Sequence, residues 1–159
     1  MNKISTLKTS IFLTILLFTS CASIPKGVDA VHPFEKEKYL GKWFEIARFD
    51  FKFERGLNNT TAEYSLKDNG MIKVDNKGFN IEKGEWTQAI GKAKFLGKDT
   101  IGMLKVSFFG PFYAGYNVIA LDSAYTYALI SGQNLNYLWI HQIQLLTLYR
   151  LQIINFMMD

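Results

Sequence analysis

Cysteine is nearly absent from the chain. Cys21 stands alone among 159 residues, so no disulfide can close within the molecule. The two histidines, His32 and His141, lie far apart with no companion Cys, His or acidic cluster at ligand spacing, an arrangement that argues against a bound metal. No Ser–His–acid set and no paired carboxylates stand out, so neither hydrolysis nor any other catalytic chemistry has visible machinery, and no cofactor is implied. Three prolines and twelve glycines leave no low-complexity linker to divide the chain, and one domain follows. Charge of one sign is not in large excess. Eighteen basic and fourteen acidic residues give +4, which falls to +2 without Lys3 and Lys8. With no basic stripe, nucleic acid is excluded as a partner. The longest apolar run is also well short of the ~18 residues that a membrane-spanning helix needs.

That run has another meaning. Lys3 and Lys8 precede Ile11–Phe18, and Thr19 and Ser20 lead to Cys21. A basic start, a short apolar stretch and a small-residue zone describe an export signal over residues 1–20. Small residues before a lone Cys resemble the bacterial lipobox, in which that Cys receives diacylglycerol. Here Phe18 occupies the place usual for Leu, and Ala22 follows the Cys. The resemblance implies lipidation at Cys21, a tether over residues 21–31 and a periplasm-facing position on the cell outer membrane. Two acyl chains would anchor it stably, at about 0.8 kcal/mol per buried CH₂.

From Lys42 onward the hydrophobic period is two. Trp43, Glu45, Ala47 and Phe49 alternate with Phe44, Ile46 and Arg48, and seven further segments do the same: 61–66, 72–77, 84–95, 103–109, 116–121, 125–130 and 137–140. Their Val, Ile, Tyr, Phe, Trp and Thr suit a pleated, half-buried surface. Asp68–Gly70, Asn76–Gly78 and Leu96–Lys98 read as turns between them. Eight short strands predict an all-β antiparallel barrel or sandwich. Residues 34–39 have room for one turn of helix at most. Several strands are apolar on both faces: Val118 and Ala120 are placed against Ile119 and Leu121, and Tyr137 and Trp139 against Leu138 and Ile140. A greasy interior and a partly covered outer wall follow. An eight-stranded barrel has room for a side-chain core or for one small ligand, and pattern alone does not choose.

Two stretches go further. One is Tyr39-Leu40-Gly41-Lys42-Trp43-Phe44-Glu45-Ile46-Ala47-Arg48-Phe49, with a Gly-x-Trp opening the first strand. The other runs from Lys105 to Asp122 through Phe109-Gly110-Pro111-Phe112. With Phe53-Glu54-Arg55-Gly56 they resemble the bacterial outer-membrane members of the lipocalin family, over roughly residues 28–140. The resemblance implies an eight-stranded up-and-down barrel at residues 32–140, open at one end, without catalytic residues. It further implies that the barrel binds fatty acids or lysophospholipids for envelope lipid storage or transport. Gly41 and Trp43 would then seal the closed end, and Asp122, with Tyr125 and Tyr127, would stand in the second family motif, here reduced to Leu121-Asp122-Ser123. The third motif supplies an Arg over the Trp and then a long helix. His141-Gln142-Ile143-Gln144 replaces that Arg, Arg150 is too far along, and the tail over 141–159 lacks a clean apolar stripe, so the family helix is expected to be missing or altered and the outer wall partly uncovered.

Several side chains are candidates for the lipid site. Glu45 shares a strand face with Trp43, so it either points inward, where a carboxylate needs a partner or a proton, or lies exposed. Phe53, Phe108, Tyr113, Tyr116 and Trp139 are the aromatic candidates for a pocket lining. Arg48 and Arg55 suit a carboxylate or phosphate head group, although a solvated rim explains them more simply. Phe109 and Phe112 flank a turn that fits a mouth, a membrane-facing edge or the contact of a homodimer. Against the carrier reading stand a filled barrel acting through a protein partner, and a calyx enzyme using Glu45 with a tyrosine.

Overall fold

The computed structural model describes residues 23–143. One helical turn, α1 (Lys36–Tyr39), precedes eight strands: β1 (Gly41–Arg48), β2 (Leu57–Leu66), β3 (Ile72–Asn80), β4 (Glu85–Phe95), β5 (Met103–Ser107), β6 (Ala114–Leu121), β7 (Tyr127–Ser131) and β8 (Leu138–Gln142). Each pairs antiparallel with the next, and β8 pairs with β1, so the sheet closes on itself without an edge. The order is that of an up-and-down barrel. Among the described residues, helix is confined to the single turn that 34–39 had room for.

Alternation places Trp43, Ala62, Tyr64, Ile72, Val74, Ala93, Leu104, Val118, Ala128 and Ile130 in the buried core. Three register shifts interrupt it, one between Asn58 and Thr61 in β2–β3 and two bulges that redirect the faces discussed below. The β1–β8 register shifts between Glu45 and Ala47, and the β6–β7 register shifts between Val118 and Ala120. A bulge inserts one unpaired residue and reverses the faces that follow. Val118 therefore pairs with core Ile130 while Ala120 pairs with Leu129, and the sequence expectation that Val118 and Ala120 share a face is wrong. Leu121 packs against the core instead. The turn expected at Asn76–Gly78 is also absent. Those residues continue β3 opposite Thr87, Gln88 and Ala89, and a Cβ on Gly78 would lie in tight contact, 3.2 Å, with the Leu57 side chain.

One end of the barrel is sealed. Phe34 donates its N–H to Thr100 O, Val31 donates to Val118 O, and Val31 O accepts from Gly102. Tyr125 packs beside Phe34 with ring centroids 6.3 Å apart, and its hydroxyl accepts the Glu35 N–H. Asp122 holds the β6–β7 turn that presents Tyr125. Its carboxylate accepts the N–H groups of Ala124, Thr126 and Tyr127 and the Thr126 hydroxyl. The opposite end is formed by the connections 49–56, 81–84, 108–113 and 132–137, with Phe51 of the first edge-on to Tyr137 at 5.6 Å.

Residues 23–31 pack on the barrel rather than trailing as a free tether. Ser23 O accepts from Asn117 Nδ2 at 3.2 Å, and Pro25 is buried. Asn117 points outward yet is fully covered, and it also donates to Gly132 O at 3.0 Å. Residues 1–22, including Cys21, and residues 144–159, including Arg150, lie outside the described residues.

Candidate functional site

Gly41 opens β1 with φ +106, a backbone region that side chains disfavour, and carries the chain from α1 into the sheet. Two residues on, Trp43 has no exposed surface. Its indole donates to Tyr39 O at 2.8 Å, and the Tyr39 ring lies 4.8 Å away, centroid to centroid. Among the described residues no cation stands over Trp43.

The floor of the lumen continues as three tyrosines from three elements. Tyr116 Oη lies 2.7 Å from Tyr39 Oη and 2.8 Å from Tyr64 Oη. Burial raises all three hydroxyl pKa values, so they remain neutral donors and acceptors. Three O–H groups joined by two hydrogen bonds leave one proton for another acceptor. Tyr39 and Tyr64 are buried and Tyr116 is half-buried, which makes Tyr116 the member that meets the lumen.

Nearer the mouth is a polar cluster that the first bulge creates. Regular alternation would send Arg48 outward; the bulge turns it in beside Glu45. Arg48 Nη1 donates to the Glu45 carboxylate and to Thr60 Oγ1, while Nη2 donates to the carbonyls of Glu54 and Leu57, each at 2.7 Å. Glu54 Oε2 lies 3.7 Å from Arg48 Nε and accepts the Trp139 indole N–H at 3.0 Å. Burial pushes the Glu54 carboxyl above its ordinary range, against the opposing pull of the Trp139 hydrogen bond and the Arg48 charge. Two carboxylates against one guanidinium give the cluster an acidic excess.

Glu45 is thus the inward carboxylate, 8% exposed, and its partner is Arg48. Arg48 is neither a solvated rim residue nor a free head-group ligand, because its four terminal N–H bonds are used internally. Arg55 does lie on the rim, 69% exposed and 2.9 Å from Asp50. Phe108 reaches inward over β4, where a Cβ on Gly91 would lie 2.8 Å from its ring. Trp139 faces the lumen and meets Phe51 edge-on at 5.4 Å. Tyr113 has to be corrected. It stands one residue before Ala114, which pairs with core-side Val106, so the pleat turns Tyr113 to the outer wall. There Lys94 and Lys105 lie over its ring at 5.5 and 5.1 Å. Phe53 is 78% exposed on the rim and lines no part of the lumen.

Three members of the site had no separate signal in the sequence. Glu54 comes from a loop, His141 from the altered ending, and Tyr39 from a single helical turn. His141 pairs in register with Glu45, is 6% exposed, and burial without a partner for Nδ1 lowers its pKa to about 4. Only Tyr64, two residues from core Ala62 in a strand of period two, could have been placed inside.

The barrel is closed, one end is sealed, and aromatic side chains line the wall above that end. Residues 34–143 match the family model described as a lipocalin-like domain. The chain is a lipocalin. Among its relatives, the outer membrane lipoprotein Blc of Escherichia coli (strain K12) is 56% identical over 126 residues, 78% of this chain and 71% of that one. The protein of the same name from Vibrio cholerae is 51% identical, over 82% of this chain and 78% of its own. Rat apolipoprotein D is 40% identical over 98 residues, covering 61% of this lipocalin and 50% of that protein. Insecticyanin from the tobacco hornworm shares the fold with a TM-score of 0.60 at 22% identity, covering 77% and 70% of the two chains. At 51–56% identity with proteins named for the outer membrane, this lipocalin is an outer-membrane member of a family that binds small hydrophobic ligands.

Proposed function

We propose that this lipocalin holds the acyl chain of a fatty acid or a lysophospholipid in its calyx and serves lipid storage or transport in the bacterial envelope, anchored by diacylglycerol on Cys21. One observation carries the reading. Val106, Phe108, Tyr116 and Trp139 line the inside of a closed barrel, yet each retains partial exposure, so the upper lumen is reached from solution. A lumen filled by its own side chains would bury them. Hydrocarbon entering such a space gains about 25 cal/mol per Å² removed from water, less the costs of association.

The apolar wall takes the ligand's tail, and the head stays toward the mouth. Titrating delipidated protein with a fluorescent fatty acid tests the reading: saturable one-to-one binding supports it, and absence of binding leaves a structural barrel acting through its surface. Mass spectrometry of lipids that co-purify with the protein names the head group and the chain.

A further inference from the structure

The connections at one end of the barrel carry six exposed large apolar side chains, and the first described residues lie toward that same end. Phe49 and Phe53 stand on the β1–β2 connection, Ile81 on β3–β4, Phe109 and Phe112 on β5–β6, and Leu135 on β7–β8; each is 46–78% exposed. All four connections at the open end therefore contribute at least one large apolar group to the rim. Among the described residues, none of the three connections at the closed end (67–71, 96–102 and 122–126) exposes one, and the strand-end residues beside them add only Leu66 and Tyr127. Aromatic side chains on loop tips, with no protein surface against them, suit the interface between membrane and water.

The N-terminal segment fixes which end lies near the anchor. It leaves the closed end at Val31, which is bonded to Val118 and Gly102, and runs along the outer wall. It reaches Ser23 beside Asn117, Gly115 and Gln133. Gly115 is the second residue of β6, and Gln133 belongs to the β7–β8 connection, so Ser23 lies toward the mouth. A Cβ on Gly115 would come within 2.8 Å of Ser23 O, so the segment is seated tightly there. From Ser23 to Cys21 the chain can extend at most ~7 Å.

We propose that the protein sits mouth-down on the lipid surface, with the open rim of the calyx against the bilayer that the anchor on Cys21 enters. The inference rests on lipidation at Cys21. In this pose the rim aromatics lie at the head-group level, and a ligand passes between membrane and lumen without crossing water.

The test uses the full, lipidated chain. Its only native cysteine is then acylated, so an introduced thiol is the single site for a fluorophore. Labels are placed through Phe112→Cys and Lys83→Cys at the open end and through Asn69→Cys at the closed end. The labelled proteins are reconstituted in phosphatidylethanolamine–phosphatidylglycerol vesicles containing brominated acyl chains. Quenching at 112 and 83 with none at 69 is expected. Quenching at 69 in place of 112 and 83, or at none of the three, overturns the orientation while leaving the anchor intact. Intact-mass analysis of the same samples separates the two ideas: a Cys21 without lipid removes the anchor and the orientation with it. Lys83 is an exposed turn residue, so that label reports the open end even if Phe112→Cys fails to fold.

Discussion

Arg48 uses all four of its terminal N–H bonds inside the barrel, on Glu45, Thr60 and two backbone carbonyls. Removing it would leave the Glu45 and Glu54 carboxyls buried beside each other. Arg48→Ala is expected to lower stability by about 3 kcal/mol, read as a reduced urea midpoint with unchanged slope. Arg48→Lys should recover little of that, since an ammonium lacks the planar fork. His141 gives a pH dependence. Its folded pKa, about 4, lies below the ordinary 6.5, so the unfolded chain binds the extra proton first. Stability present above pH 6.5 is lost as pH falls toward 4, by roughly 3 kcal/mol across that window. His141→Leu should flatten this part of a melting-temperature profile while leaving the pH 8 value nearly unchanged or higher. Asp122 acts in the same direction at lower pH. Burial alone would raise its pKa, but donors from Tyr127, Thr126 and Ala124 outweigh that and lower it, so its contribution disappears as acid protonates it.

Between neighbouring elements, the N-terminal segment and β6 depend on two small features. Asn117, with no exposed surface, bridges Ser23 O and Gly132 O, and Gly115 leaves room for the same strap. Asn117→Ala is expected to cost about 2 kcal/mol, because buried carbonyls lose their donor. It should also raise amide exchange at Val31 while leaving β2 and β3 protected. The eight strands were legible because alternation and turn chemistry are local properties, while their up-and-down order came from the family resemblance. The bulges were not legible. Each is set by how a strand accommodates two neighbours at once, and each redirects a chemically important face: Arg48 into the lumen at one, Ala120 out of it at the other. Gly78 misled for a related reason. A glycine inside a strand, packed closely against Leu57, looks in sequence like a glycine demanded by a turn.

For the barrel as a unit, closure makes ligand binding and folding one equilibrium. A fatty acid that occupies the lumen of the native state alone stabilises it by about 2.7 kcal/mol at one hundred times its dissociation constant. Thermal melts with increasing palmitate should therefore move upward, by roughly 10 °C at that concentration. An unchanged midpoint would count against an accessible lumen. Outside, among the described residues, Ala120, Leu129, Tyr127 and Ile140 form a shallow apolar groove, with Ile140 43% exposed. The rim aromatics also suit contact between two copies. Phe109→Ser with Phe112→Ser is expected to reduce any concentration-dependent dimer seen by sedimentation of the unlipidated protein.

The amino-acid order by itself determined the single domain, the eight antiparallel strands and membership of the family, because period-two hydrophobicity, turn residues and the Gly-x-Trp opening are written along the chain. Tertiary structure decided which side chains the lumen contains. The faces of Arg48 and Tyr113, the company of Glu45, and the meeting of Tyr39, Tyr64 and Tyr116 depend on bulges and on strands distant in sequence, whose register only barrel closure fixes.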